Sequence, residues 1–247
     1  MPSVRKGEKM IYSRIMTSIP SGLSITKGTT PVVYFGKYDS AKSCTISINP
    51  SDREFCDKQG EILCDTKARL CSRKQLCKKD TEVLNKNEAE SVIQFCNEYF
   101  QRRPYRSWFD KYERLLNHFD LSYYNGSVVH LDLVQWATTP FWNKIDPDIR
   151  KQLLEEDLPF LQKLLEKGFE TIFLNGKTVV NEVCKHLKIN LKEIVIKEEN
   201  MAFSVYIGEY KKSKVIGWAT YLQSPAVGGY NNIDKIAEEI KRKTICT

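Results

Sequence analysis

Near-continuous apolar runs that alternate with helical stripes leave this chain few folds to adopt. Residues 44–48 (CTISI), 127–134 (SVVHLDLV) and 170–174 (ETIFL) are short and largely apolar. Strands buried on both faces read this way, whereas a strand with one wet face alternates. Between the runs lie stripes of helical period. Val92, Ile93, Cys96, Tyr99 and Phe100 form one within 88–100. Trp108, Tyr112, Leu115 and Phe119 form another after Pro104. Leu153, Leu154, Leu158, Leu161, Leu164 and Leu165 form a third, from Pro147 to a stop at Gly168. A helix to about Leu187, β-like runs at 194–196, 203–207 and 214–220, and a last amphipathic helix from Asn232 complete the pattern. The order predicts an α/β fold: a three-layer α/β/α sandwich around a mainly parallel central sheet, one domain over 1–247. Residues 1–30 read as a lead-in without clear periodicity, and 32–36 (VVYFG) as a short strand. Residues 56–80 read as a long excursion with some helix.

Composition narrows the class. Of 247 residues, 41% are hydrophobic, enough for a core, and no apolar run approaches a membrane span. The N-terminal stretch is basic but lacks the apolar centre of a signal peptide, so the expected location is cytoplasmic or nucleoid-associated. The formal charge of +7 leans toward a polyanionic partner, because each phosphate neutralised by Lys or Arg releases counterions. Cys56, Cys64, Cys71 and Cys77 share one segment, but no CxxC occurs, so no metal site is expected.

The polar groups at the strand ends carry the chemistry. Asn49-Pro50 ends the first run and reads either as an amide delivered to the ligand edge of a sheet or as a turn. His130 and Asp132 lie inside the second run, on one side by period-two alternation. A buried carboxylate is costly unless paired or hydrogen-bonded, which singles out Asp132. After the third run, Asn175 can cap the next helix while Gly176 and Lys177 face an anion. Arg102, Arg103 and Arg106 surround Pro104 and Tyr105 as a basic helix entrance, suited to a phosphate or to a solvated corner.

Three of these strand ends, taken together, resemble the uracil-DNA glycosylase superfamily. Its first motif, a strand followed by Asn-Pro, is matched by Ile48-Asn49-Pro50-Ser51. Its last motif, a Pro-Ser-type loop before a closing helix, is matched by Leu222-Gln223-Ser224-Pro225-Ala226. Between them the family has a buried strand ending in the Asn that reads the base, where this chain has Asp132. Order and spacing agree over roughly residues 32–240. The resemblance implies a monofunctional DNA N-glycosylase of base-excision repair, acting without a cofactor on a base flipped out of the duplex. Asn49 would position the attacking water. Asp132, with His130 and Phe55, would bind the base. Ser51, Asn175, Lys177, Gln223, Ser224, Pro225, Ala226 and Val227, with the three arginines, would hold DNA. The partner implied is DNA, with no membrane, and the protein is expected to be a monomer.

Departures from the family's pattern are specific. Leu222 stands where a His often heads the last motif and cannot stabilise a departing base anion. An ionised Asp132 only accepts hydrogen bonds, where an Asn both donates and accepts. The expected preference is therefore for a base edge bearing N–H donors; alternatively Asp132 is protonated or pairs with His130. No Phe lies a dozen residues after Asn49, where Glu61 and Ile62 stand, so a stacking ring would come from Phe55, Trp136 or Tyr230. Two other readings stay open: a non-catalytic nucleic-acid binder of the same family, and a hydrolase or binder of free nucleosides.

Overall fold

The structure is a computed structural model that describes residues 6–198 and 201–245. In chain order its elements are α1 (Lys6–Ile15), β1 (Ser43–Ser47), α2 (Lys86–Asn97), α3 (Tyr99–Arg102), α4 (Arg106–Asn117), β2 (Val128–Asp132) and α5 (Pro147–Leu165). Then come β3 (Thr171–Asn175), α6 (Lys177–Leu187), β4 (Lys192–Glu198), β5 (Met201–Tyr210), β6 (Ser213–Trp218) and α7 (Tyr230–Ile245). No helix among the described residues is long and apolar enough to cross a membrane. The chain's contacts group into two compact units. The first holds the chain up to Gly36, Ile48–Pro104 and Leu131–Lys167; the second holds Lys37–Ser47, Tyr105–His130 and the chain from Gly168 on.

The six-stranded sheet, in the order β2-β1-β3-β6-β5-β4, belongs to the second unit except for Leu131 and Asp132 at the end of β2, which group with the first. β1, β3 and β6 run parallel, and β5 and β4 extend the sheet antiparallel. Register sorts side chains onto two faces. Thr45, Phe173 and Ile216 share one; Ile46, Leu174 and Gly217 share the other. On the first face Tyr112 of α4 lies 6.3 Å from the Trp218 ring, and Phe119 lies 5.5 Å from Phe173. α7 covers the same face, with Lys214 Nζ donating to the Thr244 carbonyl at 2.7 Å. Arg114 of α4 clamps Asp234 of α7 through two bonds of 2.6 and 2.7 Å. On the opposite face Val180 of α6 packs against Gly217, where an added Cβ would come within 2.7 Å of its Cγ2. Helices therefore cover both faces, and the fold is the expected α/β sandwich.

A polar seam runs through that core. The Thr45 hydroxyl bonds both the Tyr123 hydroxyl and His130 Nδ1 at 2.7 Å, and Ser47 bonds the Tyr112 hydroxyl at 2.9 Å. Burial raises the Tyr123 phenol well above its ordinary value, so it keeps its proton.

The first unit packs α1 against α2 and α5. Ile11 and Ile15, one turn apart, bury the inner side of α1. The 1–30 segment is thus not featureless, as its weak periodicity suggested, although residues 1–5 lie outside the described residues. Arg14 pairs with Asp157 of α5, whose other oxygen accepts from Gln135 N at 2.7 Å. Burial raises the Asp157 carboxyl, opposed by Arg14. The expected strand at 32–36 is instead irregular chain. Its amides are satisfied one by one, Val32 N by Gln135 O and Gly36 N by Cys96 O. The 56–80 excursion holds a single 3-10 turn, Asp65–Lys67, and is pinned by the fully buried Arg73. That guanidinium donates to the carbonyls of Thr17, Thr29, Lys79 and Glu82.

Candidate functional site

The end of the first apolar run turns polar at Asn49, in the first unit. Val134 N donates to Ile48 O at 2.9 Å, so the residues after β1 lie beside those after β2. A bridge between Ser51 and Thr138 continues that alignment. The Asn49 amide is fixed by this neighbour. Its Nδ2 donates to Trp136 O at 3.2 Å, Thr138 Oγ1 at 3.1 Å and Pro50 O at 3.1 Å. With the donor side occupied three ways, the side chain's chemistry is that of a positioned carbonyl, able to accept from water or substrate. Ser51 then caps a single 3-10 turn, Asp52–Glu54, by accepting from Arg53 N at 3.1 Å.

That turn buries a carboxyl. Glu54 is only 3% exposed, and the Tyr99 hydroxyl donates to its Oε2 at 2.6 Å. Burial pushes Glu54 up to about 8; the Tyr99 bond and Arg69 oppose the shift, and the charge of Asp132 adds to it. Asp132, at the end of β2, is itself 4% exposed. Two buried carboxyl groups therefore feel one another beside the Asn49 turn. At neutral pH one, Glu54, carries a proton and can donate. Clusters of this kind supply acid, base or base-edge recognition chemistry.

Of the predicted residues in the first unit, Asn49, Ser51 and Asp132 fall at this place, and Phe55 ends the Glu54 turn fully buried. Trp136 is also buried, in a cluster with Leu23, Val134 and Leu153 and with Arg14 5.5 Å above its ring. Arg102 is drawn to Glu98 at 2.6 Å and stacks on Phe95, while Arg103 is exposed. Three partners were not foreseen: Glu54, Tyr99 and Thr138. Glu54 sits in the charged string Asp52-Arg53-Glu54, where nothing local marks burial. Tyr99 was legible as a core position, but its hydroxyl's partner lies 45 residues away.

The second unit holds the remaining predicted residues around a separate node. Asn175 does not cap α6, which Gly176 starts without a side-chain cap. Instead Asn175 is fully buried, its Oδ1 accepting from Trp218 Nε1 at 2.6 Å and Leu222 N at 3.2 Å. Its Nδ2 donates to Gln223 Oε1 at 3.1 Å, and Gln223 Nε2 donates to Trp108 O at 2.7 Å. Gly176 is required here: its φ is +98°, and a Cβ would strike the Tyr221 ring at 2.6 Å. This node fixes the base of the 222–227 loop. Ser224 caps its own turn through Ala226 N, leaving Pro225 and Ala226 exposed and Val227 buried as the anchor. Tyr230 is half exposed beyond it, whereas His130 is held in the Thr45 seam. Lys177 bonds the Tyr206 hydroxyl at 2.6 Å, which raises its ammonium. Arg106 pairs with Asp110 one turn on.

Among the described residues no group of three or more His, Cys, Asp or Glu side chains is placed to hold a metal ion. No protein-family model matches the chain. No curated protein matches it either.

Proposed function

We propose that the chain is a DNA N-glycosylase that hydrolyses the bond between deoxyribose and a deaminated or otherwise altered base. The observation that carries this reading is the Asn49 amide at a strand end, with its donor side taken up by Trp136 O, Thr138 Oγ1 and Pro50 O. A carbonyl so oriented accepts from a water and aims its lone pair. The water oxygen bonds to C1′ as the C1′–N bond breaks; the base leaves with the bonding pair and takes up the proton that the water sheds. A neutral amide orients this water without deprotonating it, so the turnover is slow. An Asp132 carboxylate, where ionised, favours a base edge rich in N–H donors, as a carboxylate does for an exocyclic amine. The exposed Pro225–Ala226 tip, braced by Val227 and the Asn175–Gln223 node, suits pressure on a DNA backbone. Net charge of +7 agrees with a phosphate-bearing partner.

The test incubates the protein with oligonucleotides bearing uracil, hypoxanthine, xanthine or an alkylated base and scores abasic sites. The expected result is release of at least one base, abolished by Asn49→Ala with DNA binding retained, and a changed base preference in Asp132→Asn. Binding without release from any substrate supports a non-catalytic binder. Absence of oligonucleotide binding overturns the DNA reading.

A further inference from the structure

β4 is the last strand of the sheet, and among the described residues it is paired on one side only, with β5. Natural edge strands are commonly guarded by proline, by a bulge, or by a charge that any incoming strand would have to bury. β4 contains neither proline nor glycine and is guarded by charge alone, at Lys192, Glu193, Lys197 and Glu198, so only a strand that meets those charges can pair with it. Its sequence is Lys192-Glu193-Ile194-Val195-Ile196-Lys197-Glu198, which is self-complementary about its centre. We infer that β4 is the edge through which two copies of this chain pair, antiparallel about Val195, joining their sheets into one.

In that register Lys192 lies opposite Glu198 of the second copy, and Glu193 lies opposite Lys197. Ile194 lies opposite Ile196, and Val195 opposite itself. Directly opposed residues in an antiparallel pair share a face and interact most strongly, so every charge meets its opposite and every aliphatic meets an aliphatic. Pleating allows neighbouring registers centred on Ile194 or Ile196. The first sets Lys192 against isoleucine and Glu193 against valine; the second sets Glu198 against isoleucine and Lys197 against valine. The charge pattern thus selects one register as well as one partner.

The environment of the strand agrees. Val195 is 50% exposed, a β-branched side chain standing in solvent, while the next residue, Ile196, is buried. Pairing across the dyad covers Val195 with its own copy. Glu193 Oε1 accepts from the Tyr206 hydroxyl of β5 at 3.0 Å, a bond it must share or release to meet Lys197 of the second copy. This inference is independent of the glycosylase reading.

Sedimentation equilibrium on the full chain tests it. Wild type is expected at twice the chain mass, dissociating on dilution, rather than as the monomer that the family resemblance implies. The variant Lys192→Glu with Lys197→Glu has an all-acidic edge, and Glu193→Lys with Glu198→Lys an all-basic one. Each alone is expected as a monomer with its circular dichroism unchanged, and a mixture is expected to restore a dimer containing one of each by native mass spectrometry. Val195→Lys, a single change that sets two ammonium groups across the dyad, is expected to lose the dimer as well. A wild-type monomer up to the solubility limit overturns the inference. So does a dimer that survives all three variants, or a mixture that stays monomeric.

Discussion

The Tyr99 hydroxyl donates to Oε2 of Glu54 across 2.6 Å, with both residues buried in the first unit. The bond caps a carboxyl that the surrounding protein keeps protonated. In the folded chain Glu54 titrates near 8, against an ordinary value of 4.5. Between those values the folded state holds a proton that the unfolded state has released. Stability is therefore fullest below the ordinary value and falls as pH rises through the window, by about 1.4 kcal/mol per unit. Above the folded value the slope vanishes. Glu54→Gln, which cannot ionise, is expected to remove that share of the slope, read as the difference between wild-type and variant urea melts across the window. Tyr99→Phe strips the donor and is expected to cost about 1 kcal/mol.

Asn49 depends on Thr138 for part of its orientation. Thr138→Val removes one of the three acceptors on Nδ2 and is expected to cost about 1 kcal/mol. Under the proposed glycosylase reading, base release is expected to fall with it, because the amide is freer to turn. Asn49→Asp sets a carboxylate against the Trp136 and Pro50 carbonyls, where it can only accept. It is expected to destabilise more than Asn49→Ala in chemical denaturation; the reverse order counts against the tether.

Gly217 sets the distance between β6 and α6. Gly217→Ala drives a methyl to 2.7 Å from Val180 Cγ2 and 3.3 Å from Leu174 Cβ. The expected loss is about 1–3 kcal/mol. Val180→Ala opens the same space, so the double variant is expected to recover part of the Gly217→Ala loss, and a double-mutant cycle by thermal melting measures the coupling.

Arg73 holds the excursion at 56–80 through four carbonyls contributed by residues 17 to 82. Arg73→Met keeps the stem and removes every donor, leaving those acceptors unmet. A loss of about 3 kcal/mol or more is expected. Limited proteolysis should then cut first within 56–80. Cleavage unchanged from wild type would contradict the pin.

The secondary structure was legible because periodicity is local. The run at 170–174 became β3 (Thr171–Asn175), and the leucine stripe from Pro147 became α5 (Pro147–Leu165). The run at 32–36 misled for the same reason. Its residues are buried, as apolar residues should be, but their backbone groups are met singly by Gln135 and Cys96 rather than by a ladder. α1 was missed because one turn of isoleucine spacing, Ile11 and Ile15, is too short a signal against a polar background.

By itself the sequence determined the α/β class, the strand-end position of Asn49 and the intrinsic charge symmetry of residues 192–198. Each of these follows from side chains close together along the chain. Tertiary structure alone decided that Glu54 is buried under Tyr99 and that Asn175 serves Trp218, Leu222 and Gln223 rather than capping α6. It also decided that β4 lies at the edge of the sheet. The physical reason is common to all three. A polar group's environment is set by what packs on it from distant parts of the chain, and desolvation and hydrogen-bond partners leave no trace in the neighbouring residues.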